Sequence, residues 1–123
     1  MSKPSEPLID GAPVRRFKNP NYKNVGSNLA ELRQKIDLID SQIIELLAQR
    51  ALCVQDATRF KKDAFQVAAP ARQAQVFERV KSQAEAHLEN FPNFPDIVET
   101  TYRTLVAGFI ASEQLLFQKT EII

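Results

Sequence analysis

The chain has 123 residues, of which 44% are hydrophobic and 25% charged, with one cysteine and no tryptophan. These values fit a globular protein of about one domain and exclude a collagen-like or multi-domain chain. The formal net charge is only +1, which gives no reason to expect nucleic acid or a membrane surface as a partner.

The N-terminal segment, residues 1–28, is predicted to be an extended or flexible arm. It contains two of the three glycines and four of the seven prolines, residues that interrupt helices and strands. It also carries five basic and two acidic side chains, so residues 29–123 have a net charge of −2. We therefore expect a helical domain over 29–123 in which any basic site is local.

A long first helix is predicted to begin near Leu29. Neither glycine nor proline occurs over residues 27–69, and Asn28 with Glu31 three residues later has the form of an N-terminal capping arrangement. Apolar or small residues recur at alternating steps of three and four, at Leu29, Leu32, Ile36, Ile39, Ile43, Leu46, Cys53, Ala57 and Phe60. This heptad pattern, here called the seam, indicates a helix of about 35 residues with a narrow packing stripe.

Two further helices follow in the sequence. The stretch from Asp63 to the pre-proline residue Ala69 weakens helical continuation, and Pro70 suits a first helical position. A second amphipathic pattern runs through Val76, Phe77, Val80, Ala84 and Leu88, and a third, after Pro95, through Val98, Tyr102, Leu105, Phe109 and Leu116. The third helix is predicted to end near Gln118. No segment alternates with the period of two typical of a strand, so the predicted fold class is all-α, with three helices of which the first is very long.

The length of the first helix predicts a homodimer. About 35 residues at 1.5 Å per residue span roughly 50 Å, which exceeds the diameter of a compact domain of this size. An apolar stripe of that length would be a large exposed patch in a monomer, and a second copy is the natural way to cover it. We therefore expect an intertwined homodimer.

The sequence also bears on the location of the protein. No run approaches the ~20 apolar residues that span a bilayer, and the N-terminus has no apolar signal segment. The single cysteine cannot form an intrachain disulfide. We expect a cytoplasmic protein that does not contact a membrane.

One position of the seam is occupied by a charge. Arg50 takes the heptad position after Leu46, and a guanidinium that faces a packed core is unfavourable unless an anion meets it. A structural ion pair with Asp40, Glu45 or Asp56 would explain this position, as would a seam that opens onto solvent. Binding of an anionic ligand is the third explanation.

Other basic residues are placed to join Arg50. Lys61 follows it by eleven residues, or three helical turns, and so lies on nearly the same face. Arg33 shares a flank with Lys61 but lies seventeen residues before Arg50, about 25 Å along a straight helix. If all three bind one small molecule, Arg33 must come from the partner subunit. Arg72, just after Pro70, lies where a loop could close over such a pocket, although a solvated helix face also explains Lys61 and Arg72 taken singly.

A carboxyl group on the third helix is predicted to face the core. Glu113 lies four residues after Phe109 and seven after Val106. Such a carboxyl can stay protonated and donate a hydrogen bond, or it can form a salt bridge to Arg50 or Lys61. The sequence has no glycine-rich phosphate loop, metal-ligand cluster or Ser/His/Asp set. These residues fit a small polyanion whose reaction needs binding and electrostatic stabilisation.

Taken together, these motifs resemble a known family. The runs LRQKIDLID at 32–40 and ELLAQR at 45–50, then Lys61 and the run Pro70-Ala71-Arg72, are similar to the AroQ-type, all-helical chorismate mutases over residues 29 to about 117. The resemblance implies an intertwined dimer of three-helix chains with two active sites, each using an arginine from the partner's first helix. It also implies catalysis without cofactor, metal or covalent intermediate.

The resemblance implies roles toward a small dianionic substrate, chorismate or isochorismate. Arg50 and Arg33 of the partner subunit would hold the substrate carboxylates. Lys61 would contact the ether oxygen and stabilise the charge that develops there as the carbon–oxygen bond breaks.

Three more positions take roles from the family pattern. Glu113 falls on the position, usually Gln and in some members Glu, that also contacts the ether oxygen; Gln114 would need a one-residue shift. Arg72 resembles the loop arginine beside the substrate. Gln73 stands where many members have a Glu that meets the substrate hydroxyl, so this match is looser.

The resemblance leaves three functions to be distinguished. The first is chorismate mutase, which converts chorismate to prephenate in shikimate-pathway aromatic amino-acid biosynthesis. The spacing from Lys61 to Arg72, the pair Ala69-Pro70 and the run Arg59-Phe60-Lys61 are closer to a sister branch, the isochorismate-pyruvate lyases of salicylate and siderophore synthesis. A helical dimer that acts as an interaction or ligand-sensing module is the non-enzymatic alternative.

Overall fold

The computed structural model describes residues 3–89 and 91–123, in which all regular secondary structure is helical and no strand occurs. The helices are α1 (Leu29–Ala57), α2 (Ala64–Ala68), α3 (Pro70–Glu85) and α4 (Phe94–Phe117), with a 3-10 turn over Thr58–Phe60 after α1. Three helices are long and the first is the longest, which confirms the predicted fold class. The helix predicted to end near Gln118 ends at Phe117.

The start of α1 agrees with the prediction from the sequence, but its end comes earlier than predicted. The side chain of Asn28 accepts a hydrogen bond from the Glu31 amide at 2.9 Å, as the capping pattern predicts. The α-helix has 29 residues rather than about 35, because the chain turns extended at Lys61 (φ −104°, ψ 136°). Asp63 is also extended, and its carboxylate caps a new helix.

That new helix, α2, occupies the segment predicted to interrupt helical structure. Asp63 accepts a hydrogen bond from the Gln66 amide at 2.9 Å, so the helix begins with its own cap. It ends at Ala68 and is followed by Ala69, whose backbone is left-handed (φ 46°, ψ 61°) and whose amide donates to the Phe65 carbonyl. Pro70 then occupies the first turn of α3, as predicted.

The chain divides into two compact units, Met1–Ala48 and Gln49–Ile123. The second unit contains the buried core, in which Val76 and Val80 of α3 pack with Val106 of α4. Val76 and Val80 are four residues apart and therefore share one face of α3. Partly buried side chains surround them, namely Phe77, Val98, Tyr102 and Ile110.

Charged side chains flank this α3–α4 contact. Lys81 of α3 lies 3.4 Å from Asp96 and 3.5 Å from Glu99, and Arg103 donates to Glu99 at 3.0 Å. The hydrogen bond to Asp96, together with the charge of Glu99, raises the pKa of Lys81. The hydrogen bond from Arg103 holds the pKa of Glu99 below its ordinary value. Arg103 also covers the Phe77 ring, with its guanidinium carbon 4.5 Å from the ring centroid.

In the first unit, residues 3–28 form no helix or strand and fold against the first turns of α1. The Ala30 amide donates to the Ile9 carbonyl at 2.8 Å, and the Lys35 ammonium donates to the Val25 carbonyl. These contacts do not test the predicted boundary at residue 28, which stays a prediction.

The seam of α1 is exposed in this unit. Its large apolar side chains Ile36, Ile39, Ile43 and Leu46 keep 48–62% of their surface accessible. Across its whole length α1 has no buried residue. Over residues 3–89 and 91–123, no helix combines the length and hydrophobicity that crossing a membrane requires.

Candidate active site

A cavity of about 690 Å³ lies within the second unit. The end of α1, the segment after it, α2, α3 and α4 all contribute to its wall. Its charged and amide side chains are Arg50, Lys61, Arg72, Gln73, Arg79 and Glu113, and its apolar lining includes Val67, Val76, Val106 and Phe109. The cavity thus combines four cationic side chains with one carboxyl group.

Arg50 brings an unsatisfied donor to this cavity. Its Nη1 atom is buried and has no hydrogen-bond partner in the described part of the chain. The guanidinium lies over the Phe109 ring, 4.7 Å from its centroid. Asp56, one of the carboxylates considered as a partner, pairs instead with Arg59 at 2.9 Å. A buried donor without an acceptor is unfavourable, so the arrangement suits an anionic ligand that would bind Nη1.

Lys61 and Glu113 form an ion pair in the same cavity. The Lys61 Nζ atom lies 2.9 Å from Glu113 Oε2, and the side chains are 22% and 5% exposed. The Thr58 hydroxyl lies 3.1 Å from the same oxygen and 3.0 Å from the Val54 carbonyl. Of the two environments considered for Glu113, the structure shows the salt bridge, with Lys61 rather than Arg50 as its partner.

The adjacent residue Gln114 has a different role. Its side-chain amide donates to the Ala64 carbonyl at 3.0 Å, which ties α4 to the start of α2. Glu113 is therefore the residue of this pair that lines the cavity.

The wall from α3 carries three polar side chains. Arg72 is exposed and donates to Gln75 at 2.9 Å, whereas Gln73 is half-buried and donates to the Ala68 carbonyl at 2.7 Å. Arg79 also lines the cavity. It was missed in the sequence, although its position seven residues after Arg72 places both on one face of α3.

Thr58 is the other residue that sequence reasoning missed. Its partner Glu113 lies 55 residues away, and no local spacing connects a lone threonine to such a contact. The buried hydroxyl is recognisable only once the fold is known.

Arg33 lies on α1 in the first unit, where its side chain is exposed. The other five predicted site residues, Arg50, Lys61, Arg72, Gln73 and Glu113, come together around the cavity of the second unit. Chemically, the cations can bind a small polyanion and stabilise negative charge that develops on it. In the described residues no cluster of histidine, cysteine and carboxylate side chains is arranged to hold a metal ion.

Comparison with known proteins agrees with this chemistry. The model of the family "chorismate mutase type II" matches residues 32–114. A chorismate mutase from Methanocaldococcus jannaschii is 32% identical over 60 residues, which cover 48% of this chain and 61% of that protein. The match therefore spans less than two thirds of that relative. No solved structure matches the chain significantly.

Proposed function

The chain belongs to the chorismate mutase type II family, and from this premise we propose that it converts chorismate to prephenate. The observation that supports this activity best is the buried, unpartnered Nη1 of Arg50 in a cavity that also holds Lys61 and Glu113. A dianion of suitable size would give Arg50 the acceptor that it lacks.

In this proposal each side chain acts on a defined part of the substrate. Arg50 binds one carboxylate, and Arg72 lies beside the substrate at the mouth of the cavity. Lys61 can donate to the ether oxygen while it keeps Glu113, because an ammonium group has three donors. Glu113, when it carries a proton, donates a hydrogen bond to the ether oxygen as the second group there, and Gln73 binds the hydroxyl.

The reaction itself breaks one carbon–oxygen bond and forms one carbon–carbon bond within a single molecule. It takes up no water and requires no proton transfer, so binding the compact reactive conformer and stabilising charge on the ether oxygen are the available contributions. Lys61 meets this second need because its charge is only partly exposed and is therefore weakly screened. Aromatic amino-acid biosynthesis and a cytoplasmic location remain predictions from the sequence.

We also propose that the active enzyme is a homodimer in which Arg33 of the partner subunit completes each site. The support is the row of half-exposed isoleucine and leucine side chains along α1, an apolar surface that an identical copy can cover by symmetric pairing. Arg33 lies beside that row, so pairing would carry it to the partner.

Substrate turnover tests the activity directly. Purified protein is incubated with chorismate and, separately, with isochorismate, and prephenate, salicylate and pyruvate are measured. We expect prephenate from chorismate; salicylate with pyruvate from isochorismate would instead assign the lyase activity, and no turnover of either would favour the non-enzymatic module. Arg50→Ala should lower kcat/KM at least about 100-fold, whereas the matched control Arg59→Ala, an exposed arginine outside this cavity, should leave it unchanged.

Mixing of inactive chains tests the shared site. Arg33→Ala and Arg50→Ala chains combined in equal amounts should regain about a quarter of the wild-type activity, because half of the dimers are mixed and each has one intact site. The control mixes Arg50→Ala with Lys61→Ala, two changes on the same side of each site, and should regain none. A shared site would be contradicted if both mixtures regained the same activity. It would also be contradicted if neither mixture regained activity after subunit exchange had been confirmed.

A further inference from the structure

The carboxyl group of Glu113 is held through one of its two oxygens. Lys61 Nζ and Thr58 Oγ1 both reach Oε2, at 2.9 and 3.1 Å. Within the described residues no hydrogen bond reaches Oε1. Thr58 and Glu113 are 3% and 4% exposed, so water competes little for these contacts.

The donors decide where a proton on this carboxyl can sit. The ammonium group of Lys61 donates and cannot accept, so Oε2 must be the acceptor in that contact. Thr58 can add its own hydrogen to Oε2, or direct it to the Val54 carbonyl at 3.0 Å. A proton on Oε2 would face the Lys61 charge, which leaves Oε1 as the oxygen that can carry a proton or meet a ligand.

We propose that Thr58 is a positioning residue for the reaction: with Lys61 it fixes Oε2 as an acceptor and so turns Oε1 of Glu113 toward the substrate. This inference rests on the proposed mutase activity, in which Glu113 acts at the ether oxygen. Every other charged group that lines the cavity is a cation, Arg50 from α1, Lys61 after the 3-10 turn, and Arg72 and Arg79 from α3. Thr58 is thus the neutral group among the donors of Oε2, and its contribution can be removed without changing the charge of the site.

Two substitutions of Thr58 test this role kinetically. Thr58→Val keeps the branched shape without the hydroxyl and should lower kcat about tenfold, with KM within about twofold of wild type because the arginines still bind the substrate. Thr58→Ser keeps the hydroxyl and should retain most of the activity. In a Glu113→Ala background, Thr58→Val should cause less than about a twofold further loss, since Thr58 acts through Glu113. A wild-type kcat in Thr58→Val, or a full additional tenfold loss in the Glu113→Ala background, would overturn the proposal.

A second measurement decides the matter even if chorismate is not turned over. The carboxyl carbon of Glu113, followed by 13C NMR at neutral pH, should change its chemical shift in Thr58→Val relative to wild type, because Oε2 has lost one of its two donors. Thr58→Ser should keep the wild-type chemical shift. Equal chemical shifts for wild type and Thr58→Val would refute the positioning contact, whereas a changed chemical shift in an inactive protein would reject only the proposed activity.

Discussion

The apolar patterns in the two units of the chain are equally regular, but the apolar side chains are buried in one unit and exposed in the other. From Gln49 onward, α3 and α4 bury Val76, Val80 and Val106 against each other. Before Gln49, Ile36 and Ile39 of α1 remain about half exposed. An apolar helical stripe therefore indicates that a partner is needed, and only the structure shows whether the same chain supplies it.

The largest expected effect comes from a charge placed on the exposed stripe. Ile39→Asp should abolish the proposed self-association and lower the proposed mutase activity at least about 100-fold, because an unpaired carboxylate in an apolar interface is penalised by several kcal/mol. Sedimentation velocity measures the association, and prephenate formation measures the activity.

The control for this prediction is Ser41→Asp, which adds the same charge on another face of α1, where Ser41 is exposed. It should leave association and activity intact. If Ile39→Asp remained a fully active dimer, the stripe would not be the subunit interface, and the contrast between the two units would lose its functional meaning.

Replacing a valine with alanine in each unit should give the next largest difference, which is in the free energy of unfolding. Val106→Ala removes two methyl groups from a side chain that is 6% exposed, and we expect a loss of about 2 kcal/mol in the free energy of unfolding. Val14→Ala in the arm, where the side chain is 95% exposed, should change it by less than about 0.5 kcal/mol. Urea denaturation of both variants checks the pair, and similar losses would mean that the arm is packed in solution.

Replacing a glycine with alanine should change the stability of the two units in opposite directions. A Cβ atom on Gly108 of α4 would meet no atom within 4 Å, so Gly108→Ala should add about 1 kcal/mol through helix propensity. A Cβ atom on Gly26 would lie 2.7 Å from Leu32 Cδ2, so Gly26→Ala must displace that side chain and should destabilise by about 1 kcal/mol. Thermal unfolding measures both changes, and a destabilised Gly108→Ala would show that the face of α4 around Gly108 is covered in the assembly.

The smallest expected effect is on the pH dependence of thermal stability, and it comes from the surface pair of Glu99 and Arg103. Because the hydrogen bond from Arg103 lowers the pKa of Glu99, folding favours the ionised carboxyl. This stabilisation is present above the ordinary carboxyl pKa and is lost as the pH falls through the lowered value. Glu99→Gln should therefore melt slightly below wild type at neutral pH, with a difference that closes below about pH 4. A difference that grows in acid would contradict this assignment.

The parts of the fold that sequence predicts well are those with local signals. Asn28 with Glu31 marks the start of α1, and Pro70 and Pro95 mark the starts of α3 and α4. The short helix α2 was missed, although its cap, Asp63 to Gln66, is local, because the same stretch carries residues that weaken helices. The early end of α1 follows from the extended backbone at Lys61, which cannot continue a helix, and Asp63 then caps α2.

The residues of the candidate site also differ in how well the sequence predicts them. Arg50 is recognisable as a charge in an apolar seam, and Glu113 as a carboxyl on the core face of α4. The pairing of Glu113 with Lys61 and Thr58 depends on contacts across more than fifty residues, which no spacing in the sequence determines. Whether Arg33 joins them depends on the proposed dimer, which the mixing experiment tests.

The joint between α2 and α3 has a consequence for how this chain can vary. A single residue, Ala69, separates the two helices. The connection is therefore too short to absorb a change in the position of α3, which carries Arg72 and Gln73, relative to the segment that carries Lys61. One inserted residue that extended α3 at its start would turn the rest of that helix by about 100° relative to α2 and advance it by 1.5 Å. In the proposed site, the number of residues between Lys61 and Arg72 therefore matters for substrate binding as much as their identities do. Insertions there should be eliminated during evolution even where substitutions are tolerated.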